Sequence, residues 1–127
     1  MLWIIAAGSA IGGALRYLVG TLIQRMIGGT FPSGTLVVNI TGSFAIGVLM
    51  RWSLDASHSA ELRAFLTVGL CGGYTTFSAF SYETLALAQD GAYGRAAGYA
   101  IGSVVLALLA TLAGLALANA VAGPSRA

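Results

Sequence analysis

Charge is scarce in this chain, and lysine is missing altogether. Only 8% of its 127 residues are Asp, Glu, Lys or Arg, against about 25% in an ordinary soluble domain. So few charges cannot cover a water-facing surface, and lipid must face most of the protein. The single cysteine, Cys71, excludes an intrachain disulfide, and the single histidine, His58, leaves no Cys/His cluster for zinc. The formal net charge of +2 rests on dispersed arginines, too weak a pattern for a nucleic-acid surface. There is no P-loop, and no set of nucleophile, base and metal ligands that would make an enzyme.

What the chain has is apolar length: 57% hydrophobic residues and a mean hydropathy of +0.87. A helix needs about 20 apolar residues to cross a bilayer, and four such spans fit as one transmembrane domain over residues 1–127. The first covers about 2–23; its segment "MLWIIAAGSAIGGALRYLVGTLIQ" has no basic stretch before the apolar run and reads as a retained span. The second covers about 33–52, opened by Pro32 and closed by the interfacial pair Arg51 and Trp52. The polar stretch "SLDASHSAELR" is the longest loop. The third span covers about 64–88, and the fourth about 96–121, with Pro124 beyond its end. The expected architecture is an all-α, four-helix membrane protein.

Small residues recur at four-residue spacing: Gly8 and Gly12, then Gly94, Gly98 and Gly102. Such faces let helices approach closely in lipid and predict tight packing and oligomerisation. With four spans, Arg51, Arg63 and Arg126 lie on one side of the membrane and Arg25 and Arg95 on the other. That bias is too small to fix an orientation, so the chain is expected to insert both ways. An antiparallel dimer then becomes available, with the symmetry that transporters usually obtain from inverted repeats.

Polar groups within spans are costly and need a reason. Arg16 is either a snorkelling arginine or a cation lining an anion-accessible vestibule. Asn39 either clamps a neighbouring helix or turns its amide into a polar pathway, the reading favoured here. Tyr99, Ser103 and Thr111 share a face of the fourth span, with Ala107 at the missing step; their hydroxyls donate to an anion or bond back to their own helix. Glu83 is open between a proton-coupled site, a vestibule residue and an interfacial one. His58 and Cys71 read as a loop residue and a packing residue.

The third span holds the sharpest feature, "GGYTTFSAF" over residues 72–80. Gly72 and Gly73 are expected to weaken the helix, with Thr75 and Thr76 supplying hydroxyls to the freed backbone. Irregular backbone at membrane depth survives only in protein or beside a water-filled cavity. Its carbonyl end suits a hard cation, and the N-terminal end of the following half-helix suits an anion. Phe77 and Phe80, three apart, present positive ring edges to an anion or simply pack.

The segments "GGALRY", "GTLVVNITGSF" and "GLCGGYTTFSAFSYE" together resemble the Fluc/CrcB family of bacterial fluoride channels, over nearly the whole chain. The resemblance implies an antiparallel, dual-topology homodimer in the bacterial inner membrane, with two fluoride pores. It implies a structural Na⁺ at the dimer centre, held by the backbone carbonyls of Gly72 and Thr75. Phe77 and Phe80 match the fluoride-contacting aromatics, Asn39 the pore asparagine, and Tyr99, Ser103 and Thr111 the polar track. Arg16 and Glu83 stand as vestibule candidates. Ala79 and Ala107 depart from the family, which often has hydroxyl residues there. The function expected is passive export of cytoplasmic fluoride. Its rival is a small dual-topology proton-coupled cation antiporter, for which Glu83 is the one intramembrane carboxylate. A packing subunit would explain the glycines but not the broken helix.

Overall fold

The computed structural model describes residues 1–123; Pro124 and Arg126, and with Arg126 part of the charge balance above, lie outside them. The helices are α1 (Leu2–Ile27), α2 (Ser33–Trp52), α3 (Ala60–Ala64), α4 (Gly72–Tyr74), α5 (Phe77–Gln89) and α6 (Tyr93–Ala122). A π-helical stretch, Phe65–Cys71, joins α3 to α4 without interruption. No strand occurs among the described residues.

Three of these helices, α1, α2 and α6, are long and apolar enough to cross a membrane individually. A fourth, broken path through the bundle is assembled from α3, the π-helical stretch, α4 and α5. Two contacts fix its direction. Arg63 donates to the Ser53 carbonyl beside the end of α2, whereas Arg95, just beyond α5, donates to Thr30 in the α1–α2 turn. The chain therefore passes from one end of the bundle to the other. Helix α1 carries on past residue 23 to Ile27, where Gly28 and Gly29, at φ 73° and 75°, turn the chain.

Apolar side chains point outward, as lipid requires: Leu18, Ile101 and Leu108 are all mostly exposed. The buried apolar core among the described residues is small, consisting of Val38, Cys71, Leu87, Ala96 and Tyr99. Backbone-to-backbone packing at glycines does the rest. A Cβ on Gly8 would stand 2.6 Å from the Phe65 carbonyl oxygen, and one on Gly12 would collide with the Leu70 carbonyl. Gly47 and Gly114 seat α2 against α6 in the same way, on the Thr111 and Phe44 carbonyls. The second glycine series behaves differently. Nothing lies within 4 Å of a Cβ built on Gly94, Gly98 or Gly102, so that face is open on the protomer.

The helix break is displaced from the glycines. Gly72 is helical (φ −63°, ψ −38°), and Gly73 lies inside α4, where a Cβ would stand 2.6 Å from the Ser9 carbonyl oxygen. Close approach to α1, rather than a break, is what demands Gly73. The chain leaves helical geometry at Thr75 (φ −81°, ψ 156°) and Thr76 (φ −146°, ψ 115°). Two successive β-branched residues, comfortable in extended backbone, make the gap.

Candidate functional site: a clamped break between a groove and a vestibule

The break is held by side chains. Asn39 on α2 pairs with both polar groups of Thr76: Nδ2 donates to the carbonyl at 3.0 Å, and Oδ1 accepts the N–H at 2.8 Å. The Thr75 N–H and hydroxyl both donate to the Cys71 carbonyl at 3.0 Å. The Thr76 hydroxyl caps α5 by accepting from Ala79 N–H at 3.1 Å. These bonds have a consequence for the carbonyls. In a continuing helix the Gly72 carbonyl would receive the N–H of Thr76, and the Thr75 carbonyl that of Ala79. Asn39 takes the first donor and the Thr76 hydroxyl the second. Gly72 and Thr75 thus keep carbonyl lone pairs available for a ligand.

On one side of the break lies a groove of about 350 Å³, whose walls include Asn39, Ser43, Thr75, Phe77, Phe80 and Ser103. The Phe77 and Phe80 ring centroids are 5.5 Å apart and tilted by 44°. Phe77 is 78% exposed; Phe80 packs 5.3 Å from the Tyr99 ring. Ser103 is only 7% exposed, and its Oγ is buried without a hydrogen-bond partner. Ala107, one turn on, lines the same wall.

On the other side opens a vestibule of about 340 Å³, with Arg16, Tyr17, Arg25, Thr35 and Glu83 in its wall. An adjoining hollow shares Arg16, Tyr17 and Thr35 and reaches Thr76 and Ala79 at the break. Glu83 is held from both sides: Thr35 donates to Oε1 and Tyr99 to Oε2, each at 2.7 Å. Tyr99, 1% exposed, therefore turns its hydroxyl to the vestibule carboxylate, away from the groove. Thr111 donates back to the Ala107 carbonyl at 3.0 Å, and its backbone meets Gly47. Of the three hydroxyls expected along one face of α6, the groove receives Ser103 alone.

Thr35 was not among the residues singled out by sequence. Its signal was present: it lies four residues before Asn39, on the same face of α2. Ser43, four residues after Asn39, carried the same signal, whereas nothing in the neighbourhood of Gln24 or Thr67 marks them as inward-facing.

Helices of membrane-spanning length around a polar break that lies between two hollows define an integral membrane protein. The pattern of the family described as CrcB-like protein, Camphor Resistance (CrcB) matches residues 3–115. The chain belongs to that family, which is not one of enzymes. It is 49% identical over 120 residues to a protein of Thermus thermophilus, covering 94% of this chain and 96% of the relative. It is 46% identical over 122 residues to one of Nitrobacter winogradskyi (92% and 94% covered). With one of Rhizobium meliloti it shares 48% identity over 118 residues (92% and 94%). All three relatives are named fluoride-specific ion channel FluC.

Proposed function

We propose that this protein is a passive, fluoride-selective channel that drains fluoride from the cytoplasm across the bacterial inner membrane. The observation that carries the reading is Ser103: a buried, unpartnered hydroxyl in a groove whose walls include the Phe77 and Phe80 rings and Asn39. A buried hydroxyl without a partner costs about 1–3 kcal/mol, and a small anion able to accept its proton would offset that cost. Fluoride holds its water tightly, so a pore must replace that shell with O–H donors and the positive edges of rings. Arg16 and Arg25 supply the positive charge that draws an anion into the vestibule. Hydrogen fluoride crosses membranes as a neutral molecule and dissociates in a less acidic cytoplasm. The negative interior then drives the anion out, by ~2.3 kcal/mol per charge per 100 mV.

In this reading the working unit is an antiparallel homodimer with two pores, formed by chains inserted in both directions. The open face of Gly94, Gly98 and Gly102 suits such packing. The carbonyls of Gly72 and Thr75, stripped of their helical donors, fit a hard cation, and Na⁺ there would screen the facing carbonyl ends of two broken helices.

The test is fluoride-electrode efflux from liposomes holding purified protein, with chloride as the competing anion. Fluoride release with chloride retained is the expected result. The proposal is overturned if no fluoride leaves until an ionophore is added, or if chloride leaves as fast.

A further inference from the structure

One side chain near the end of α1 makes more tertiary hydrogen bonds than any residue of the break. The Gln24 carboxamide donates through Nε2 to the carbonyls of Phe31 (3.0 Å) and Gly29 (3.3 Å). Its Oε1 accepts from Gly34 N–H (3.1 Å) and the Ser33 hydroxyl (3.3 Å). Both N–H protons and both lone pairs are used. The arrangement answers a local defect. Helix α2 starts after Pro32, which has no side-chain acceptor to cap the first turn. Gln24 supplies that cap from another helix, and it fastens the turn with its donor end.

What it fastens leads to Glu83 by two routes. Thr35 follows Gly34 directly and donates to Glu83 Oε1. Phe31 meets the Tyr99 ring edge-on at 5.5 Å, and Tyr99 donates to Glu83 Oε2. The outer face of Phe31 is covered by the Arg95 guanidinium, 5.9 Å from the ring centroid. The acceptor half of one carboxamide thus places Thr35, while its donor half places Phe31 and, through it, Tyr99.

We infer that Gln24 is a positioning residue for the vestibule end of the anion pathway: it lines that vestibule, but with its carboxamide fully used by protein partners it acts by setting both hydroxyl donors of Glu83. The inference rests on the channel reading above. A glutamine is specific for the task. Glutamate keeps the cap on Gly34 but cannot donate to Phe31, and methionine keeps the shape with neither function.

Fluoride efflux from liposomes, read beside dimer fraction and melting temperature in detergent, tests this. Gln24→Met is expected to slow fluoride efflux about tenfold, roughly the effect of losing one or two hydrogen bonds, with the dimer retained. A double-mutant cycle with Thr35→Val separates positioning from general loosening. If Gln24 acts through Thr35, the double variant is at least about threefold faster than the product of the single losses implies. Losses that multiply, or wild-type efflux in Gln24→Met, overturn the inference. Should Gln24→Met not assemble, Gln24→Glu keeps the α2 cap and carries the test. Its loss should be coupled to that of Tyr99→Phe, whereas plain repulsion of fluoride by the new carboxylate would multiply with it and overturn the inference. Wild-type protein that passes no fluoride overturns the channel reading itself, and this inference with it.

Discussion

Asn39 and Thr76 are joined like neighbouring residues of a β-ladder: one carboxamide satisfies both the N–H and the carbonyl of one extended residue, at 2.8 and 3.0 Å. In hydrocarbon no water replaces such a partner, so the pair is what makes a gap in a membrane helix tolerable. Asn39→Leu leaves two backbone groups unsatisfied, at about 1–3 kcal/mol each. We expect a clear fall in melting temperature in detergent and loss of fluoride efflux. Asn39→Asp should not rescue either property, because it keeps the acceptor for Thr76 N–H but sets a carboxylate against the Thr76 carbonyl.

The two phenylalanines should separate conduction from stability. Phe80 belongs to the small cluster around Leu87, Ala96 and Tyr99, so Phe80→Ile costs roughly 1–3 kcal/mol of packing. Phe77 is exposed on the protomer, and Phe77→Ile should leave protomer stability within about 0.5 kcal/mol. Both variants are expected to lose most fluoride efflux. Unchanged efflux in the pair would remove the rings from the pathway, while equal melting losses would contradict the packing described for Phe80.

The membrane class and the broken crossing were legible in the sequence because composition and span length act over whole segments. The position of the break was not. Gly72 and Gly73 look like helix breakers in a linear reading, yet Gly73 is needed for contact with Ser9, about sixty residues earlier. Thr75 and Thr76 read as hydroxyl donors to a break set at the glycines; that they are themselves the gap depends on Asn39 of another helix, which satisfies the extended backbone of Thr76. The α6 face was readable as a period, but a period does not reveal where hydroxyls donate. Tyr99 turned to Glu83, and Thr111 to its own helix. Gln24 was invisible for the same reason: its four bonds depend on a turn whose shape the sequence does not state.

The two glycine series should respond oppositely to alanine. Gly12→Ala drives a methyl into the Leu70 carbonyl, an overpacking with no flexible side chain to yield, and should cost about 1–3 kcal/mol or prevent assembly. Gly98→Ala meets nothing within 4 Å on the protomer and removes a poor helix former, a gain of up to ~1 kcal/mol in helix propensity. Helicity and melting of the protomer should therefore hold or improve. A selective drop in dimer fraction for Gly98→Ala would place this face at a subunit contact; a drop in helicity would contradict the open face.

One pH-dependent element lies in the α2–α3 loop, outside the bilayer. Asp55 Oδ1 accepts from Ser57 N–H at 2.9 Å. That bond, then the Ser57 hydroxyl and the nearby His58 and Arg51, hold the carboxyl below its ordinary 3.8. A depressed carboxyl stabilises the folded loop above the unfolded value and loses that contribution as pH falls through the folded one. The Ser57 amide proton, followed by NMR, should titrate with a midpoint below 3.8. Asp55→Asn should abolish that titration and leave fluoride efflux at neutral pH unchanged.

The proposed Na⁺ makes the last prediction, because carbonyls rather than side chains would hold it. The Thr75 hydroxyl is spent on the Cys71 carbonyl, so Thr75→Val removes a local bond of about 1 kcal/mol while leaving the Thr75 carbonyl in place. Exchanging Na⁺ for a bulky organic cation during purification should then lower dimer fraction and fluoride efflux in wild type and Thr75→Val alike. Restoring Na⁺ should recover both. A wild-type dimer indifferent to the exchange would sink the cation assignment. Sodium dependence lost only in Thr75→Val would move the ligand from the carbonyl to the hydroxyl.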